Sequence, residues 1–177
     1  MLKKFIERYT RTLLSIYSVS GQSRVRFVIE RSQKSDLKKK LYLCIMNDNA
    51  EIEKLYLHWT INAEKDFVTM NNLFKSKDYH WSLFIGHIVI EKLLKAAVVK
   101  KTKNHAPFTH DLTKLASLTD LDFSDEYLDW LDTISTFNIN ARYDSYKEAF
   151  YKKCTEDFTK QWINRIIDLN KWIKTKL

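Results

Sequence analysis

Two glycines, one proline and two cysteines are all that this chain of 177 residues holds of the types that break, bend or cross-link a backbone. So little glycine and proline excludes a β-rich fold, whose many reversals lean on those two residues for the strongest backbone punctuation. Cys44 and Cys154 have neither a metal-ligand spacing nor the density of a disulfide framework, which is the usage of a reduced compartment, and both read as inert thiols. Long apolar runs are missing as well. The longest, Leu83 to Ile90, already contains His87 and falls far short of the roughly 18 residues that a spanning helix needs. Glu7 and Arg11 crowd the stretch that would have to serve as a signal peptide. A cytoplasmic location without membrane attachment is expected.

Histidine is confined to positions 58, 80, 87, 105 and 110, with none beyond. These five form no His-Glu-x2-His helix and no Cys/His cluster, so the sequence predicts no metal. Glycines at 21 and 86 can build neither a Gly-x4-Gly-Lys loop nor a Gly-x-Gly-x2-Gly turn, and no cofactor is expected.

What is present is a core. Hydrophobic residues make up 45% of the chain and aromatics 14%, with Trp59, Trp81, Trp130, Trp162 and Trp172 spread along most of it, enough for one buried interior. The formal net charge of +8 is unevenly distributed. Residues 1–46 carry eleven Lys or Arg against three acids, leaving nineteen of the thirty bases and nineteen of the twenty-two acids for the remainder. The body from 47 to 177 is therefore neutral, and the basic pI belongs to the extension at 1–46. Met46 precedes Asn47, Asp48 and Asn49, which suit the cap of a helix opening at Ala50 and Glu51. Two readings of the extension stand: sequence upstream of a true start at Met46, or a basic arm with an amphipathic first helix. A basic arm that binds nucleic acid or membrane would show strong salt dependence.

Apolar spacing of three and four predicts the helices of the body. Tyr56, Trp59, Ala63, Phe67, Met70 and Phe74 share one face of a first helix, about 51–75. The second, about 78–101, is apolar on most of its circumference and is therefore central; 24 residues would span about 36 Å. The polar stretch around Pro107 turns the chain into a short helix at about 110–118. Ser124, with Asp125 and Glu126, opens the next helix, and the last begins near Thr155. An all-α, up-and-down bundle of four to five helices is expected.

Four short motifs now align in order. They are Trp59-x3-Ala63-x2-Asp66, Glu91-Lys92-Leu93-Leu94-Lys95-Ala96, Thr109-His110-Asp111-Leu112-x2-Leu115, and Asn140-Ala141-Arg142-Tyr143-Asp144. Together they resemble the HEPN family, named for nucleotide binding in higher eukaryotes and prokaryotes. The resemblance implies a helical bundle that often dimerises and frequently works beside a small nucleotidyltransferase, commonly in toxin–antitoxin pairs. Many members are metal-independent ribonucleases using Arg-x4–6-His, in which arginine neutralises a phosphate and histidine moves protons. In this chain Arg142 is followed by Lys147, Glu148 and Ala149 where that histidine would stand.

The expectation is a non-catalytic accessory or nucleotide-binding protein acting with a nucleotidyltransferase. Its alternative is an endoribonuclease toxin with an altered active site. Arg142, Tyr143 and Lys147 are the candidate nucleotide or phosphate contacts; Arg142 equally suits a structural ion pair with a carboxylate. Glu91 and Lys95 have the spacing of an intrahelical ion pair, and His110 and Asp111 suit either a ligand cleft or a helix entrance. The tyrosine-rich stretch Tyr143, Tyr146, Phe150 and Tyr151 reads as packing, base stacking or interface. A homodimer is expected from the family habit and the generous apolar supply, and nucleotide or RNA is the ligand class implied.

Overall fold

The structure, a computed structural model, describes residues 31–142 and 144–177. The chain divides into two compact units, Met1–Leu41 and Tyr42–Leu177, and the bundle is the second. Among the described residues there are six α-helices and no strand. They are α1 (Arg31–Lys75), α2 (Tyr79–Thr102), α3 (Leu112–Ser117), α4 (Asp125–Arg142), α5 (Asp144–Lys153) and α6 (Glu156–Lys176).

The helix starts follow their caps. The Asp111 carboxylate accepts from the Lys114 N–H at the head of α3, and the Thr155 hydroxyl from the Phe158 N–H at the head of α6. Ser124 does the same for Tyr127 at the head of α4. Two ends are less usual. Lys77 and Lys103 take left-handed backbone conformations, φ 66° and 53°, a position that glycine fills at lower cost. At Lys77 the reversal is held by Asp78 N–H donating to the Leu73 carbonyl, the six-to-one bond that satisfies a helix end.

The expected helix opening at Ala50 is corrected: α1 runs unbroken through Asn47, Asp48 and Asn49. No Gly or Pro occurs between 31 and 75, and an Asn or Asp inside a helix costs only about 0.7 kcal/mol relative to Ala. A capping-type triplet therefore starts a helix only where something else stops the preceding one. The separate α5 is an addition to the expected elements.

Residue pairs fix the helix directions. From α1 to α2 the contacts run Met70–Ser82 and Trp59–Lys95, so this pair is antiparallel. From α4 to α6 they run Phe137–Trp162, Trp130–Arg165 and Tyr127–Trp172, again antiparallel. Tyr79–Glu156 and Gly86–Ile166 run in the same sense, so α2 and α6 are parallel. The four long helices thus form the up-and-down bundle, with α3 and α5 as short connectors.

Helix α2 is the centre, as its all-round apolar pattern requires. Leu83, Val89, Ile90, Leu93, Leu94 and Val98 are buried along it, against Ala63 and Met70 of α1, Leu131, Ile134 and Phe137 of α4, and Ile166, Leu169 and Ile173 of α6. Gly86 lies where three helices converge. A β-carbon there would stand 2.6 Å from Ile166 Cδ1 and 3.2 Å from Met70 Sδ. None of the described helices is long and apolar enough to cross a membrane.

Candidate functional site

Three side chains four apart, His87, Glu91 and Lys95, form a ladder on one face of α2, because that spacing returns to nearly the same side of a helix. Each is buried. Charged groups in a core demand partners, and these are partly local. Lys95 Nζ donates to Glu91 Oε1 at 2.8 Å, and His87 Nε2 lies 3.2 Å from Glu91 Oε2. The remaining partner comes from nineteen residues along the chain. His110, just before α3, brings Nδ1 to 2.9 Å from the same Oε2.

Glu91 is thus the hub. Burial works against its charge, but hydrogen bonds from His87, Lys95 and His110, with the Lys95 charge, outweigh it and hold the carboxyl at about 2, below its usual 4.5. The ends of the cluster differ in access. The His87 side chain is fully buried and its Nδ1 lies 3.2 Å from the Ile134 carbonyl of α4, whereas the His110 side chain is 59% exposed. Lys95 Nζ sits 5.0 Å from the centre of the Trp59 ring of α1. One polar knot therefore joins α1, α2, α4 and the entrance to α3, with His110 as its opening to solvent.

The expected Glu91–Lys95 pair is present, with two histidines added to it. His110 and Asp111, adjacent in sequence, separate in role: His110 turns to Glu91, while Asp111 caps α3. The backbone N–H of Lys114 and the Thr113 hydroxyl hold the Asp111 carboxyl below its usual range. Tyr143 and the side chains of Arg142 and Lys147 lie outside what the structure describes; Arg142 is the last residue of α4. Phe150 is buried against Phe137, and the exposed Tyr151 meets the His80 ring edge-on. Burial pushes the Cys154 thiol up to about 12, in keeping with an inert cysteine.

His87 is the member that sequence reading passed over. Its signal is the His-x3-Glu-x3-Lys ladder, masked because each polar residue stands among apolar neighbours and reads as an interruption. The link from His110 to Glu91 has no local signal, since it depends on how the loop after α2 folds back.

Comparisons with known proteins bear on the family and the fold. The profile of the HEPN domain matches residues 56–176. TT1696 from Thermus thermophilus is similar in structure, with a TM-score of 0.61, 16% identity, and coverage of 69% of this chain and 98% of that one. ST0689, described as an archaeal HEPN homologue, gives a TM-score of 0.55 and 18% identity over 68% of this chain and 96% of its own. No protein of curated description matches. At such identities the two structures speak for the fold alone.

Proposed function

Because this chain belongs to the HEPN domain family, we propose that it is a non-catalytic binding subunit, working in the cytoplasm with a small nucleotidyltransferase and taking a nucleotide-like anion at Arg142, Tyr143 and Lys147. The observation that carries this reading is the position of the histidines. None follows His110, so the Arg-x4–6-His pair of the family's ribonucleases cannot form after Arg142. His87 and His110, which flank or lie within two of the family motifs, are both engaged with Glu91. A carboxylate held ionised by an ammonium and two imidazoles serves as a fixed strut rather than as a proton donor near neutral pH.

The homodimer forms part of the same reading. Leu57, Ile61 and Val68 on α1, and Leu128 and Ile139 on α4, are large apolar residues left exposed. Their spacings of four, seven and eleven place each set along one helix face.

Copurification from the native host followed by mass spectrometry tests the proposal. A nucleotidyltransferase recovered in stoichiometric amount is the expected result, and a homomer alone would count heavily against it. Induced expression separates the endoribonuclease alternative. Intact cellular RNA and normal growth agree with a binding subunit, while cleavage abolished by Arg142→Ala would replace that reading with an enzyme.

A further inference from the structure

We infer that His87, Glu91 and His110 form a binding site for one divalent cation of the zinc class, with a fourth position open to water or an anion on the His110 side. The inference rests on the cluster's geometry and does not depend on the proposed function.

The donor set is two imidazole nitrogens and one carboxylate oxygen, a combination suited to zinc and its borderline neighbours. One donor atom from each of His87, Glu91 and His110 lies within 4.8 Å of the other two. Two of the separations, 3.2 Å and 2.9 Å, are close to the edge of a tetrahedron whose centre is 2.0–2.2 Å from each ligand, which is about 3.4 Å. Closing the set around an ion requires the exposed His110 ring to swing on the order of an ångström, with the buried pair in place.

The surroundings are those of a ligand shell. A metal-bound histidine is commonly fixed by its second nitrogen donating to a carbonyl or carboxylate, and His87 Nδ1 faces the Ile134 carbonyl at 3.2 Å. A carboxylate that binds through one oxygen commonly has the other hydrogen-bonded, and Glu91 Oε1 accepts from Lys95. Both His87 nitrogens face acceptor oxygens, and a neutral imidazole carries only one N–H. With the proton on Nδ1 the Ile134 contact is a hydrogen bond, and the Nε2 lone pair then points at the Glu91 carboxylate. Two lone-pair-bearing atoms at 3.2 Å repel unless a cation lies between them. In that tautomer a metal ion between Nε2 and Oε2 satisfies this condition and also uses the His110 nitrogen as a ligand; in the other tautomer Nε2–H donates directly to Glu91. Lys95 disfavours a second cation nearby, which calls for an anionic or hydroxide fourth ligand in the bound state.

The test uses the full chain after treatment with a chelator. It is titrated with Zn²⁺ against a chromophoric competitor, and separately with Co²⁺ while visible absorption is recorded. One equivalent of Zn²⁺ per chain and the intense visible bands of four-coordinate Co²⁺ are expected. His110→Ala removes an exposed ring, should keep the helical circular dichroism, and should lose at least about tenfold in Zn²⁺ affinity. His105→Ala, in the same loop but outside the cluster, should bind as the wild type does. Absence of saturable binding, or equal affinity in the wild type and His110→Ala, would overturn the inference.

Discussion

Replacing Gly86 by alanine sets two effects of known size against each other. Alanine is the better helix former by about 1 kcal/mol. Its methyl would, however, stand 2.6 Å from Ile166 Cδ1 and 3.2 Å from Met70 Sδ, where carbon atoms prefer about 3.5–4.0 Å. Ile166 is fully buried, so its terminal methyl must retreat by about an ångström into occupied space, and overpacking of this kind costs about 1–3 kcal/mol. A net loss of about 1 kcal/mol is expected. The second perturbation isolates the cause. Ile166→Val deletes the methyl that is struck and by itself costs about 1 kcal/mol. In the double variant the deleted and added methyls compensate, so its stability should be close to that of Ile166→Val alone. The coupling should then be about 1 kcal/mol in the favourable direction. Urea unfolding followed by tryptophan fluorescence and by circular dichroism measures all four corners, with an unchanged m-value as the condition for comparing them. Additivity within about 0.5 kcal/mol, or a Gly86→Ala variant more stable than the wild type, would refute the close approach of α1, α2 and α6.

The Glu91 carboxyl, lowered from 4.5 to about 2, contributes stability that is fully present above pH 4.5 and is lost as pH falls through about 2. The shift corresponds to about 3 kcal/mol, and in chelator-treated protein the acid-induced loss should be steeper by that amount than in Glu91→Gln; matching slopes between pH 4.5 and about 2 would contradict it. Asp111→Ala removes the cap of α3 and should lower the unfolding free energy by about 1 kcal/mol, with Asp111→Asn retaining most of it. Sedimentation of the full chain at micromolar concentration should show a dimer, and Ile61→Lys, placing a charge on the exposed α1 stripe, should shift it to monomer; a wild type that sediments as a monomer refutes the homodimer.

The fold was readable because its signals are local. The all-round apolar composition of 79–102 marks the central helix without reference to any partner, and Asp111, Ser124 and Thr155 mark starts through bonds that span only three residues. Where the signal depends on context, reading fell short. The Asn47-Asp48-Asn49 triplet looks like a cap, but nothing before it ends a helix. Of the site, the Glu91–Lys95 pair was visible by spacing. His87 was not, because a buried polar residue in an apolar helix looks like noise, and His110 was visible as a candidate without its partner, which lies nineteen residues away. Arg142 was singled out by motif order, a property of sequence that carries no geometry.

The buried polar bonds also divide the bundle into parts that are indexed and a part that is not. Apolar contact alone lets one helix rotate or slide on another by a fraction of a turn with little change in buried area, while a directional bond permits a single setting. Ser82 donates to the Met70 carbonyl and so pegs α2 to α1, His87 at the Ile134 carbonyl pegs α2 to α4, and the Leu112 N–H on Ser135 Oγ pegs α3 to α4. Among the described residues, helix α6 has no such peg on its buried face. Its inward Thr159 and Asn170 oxygens find no protein partner, and its polar ties, Tyr79 to Glu156 and Lys174 to Glu64, are at the exposed rim. On its buried face the last helix is therefore seated by the shape of its packed side chains, with its directional bonds confined to the rim.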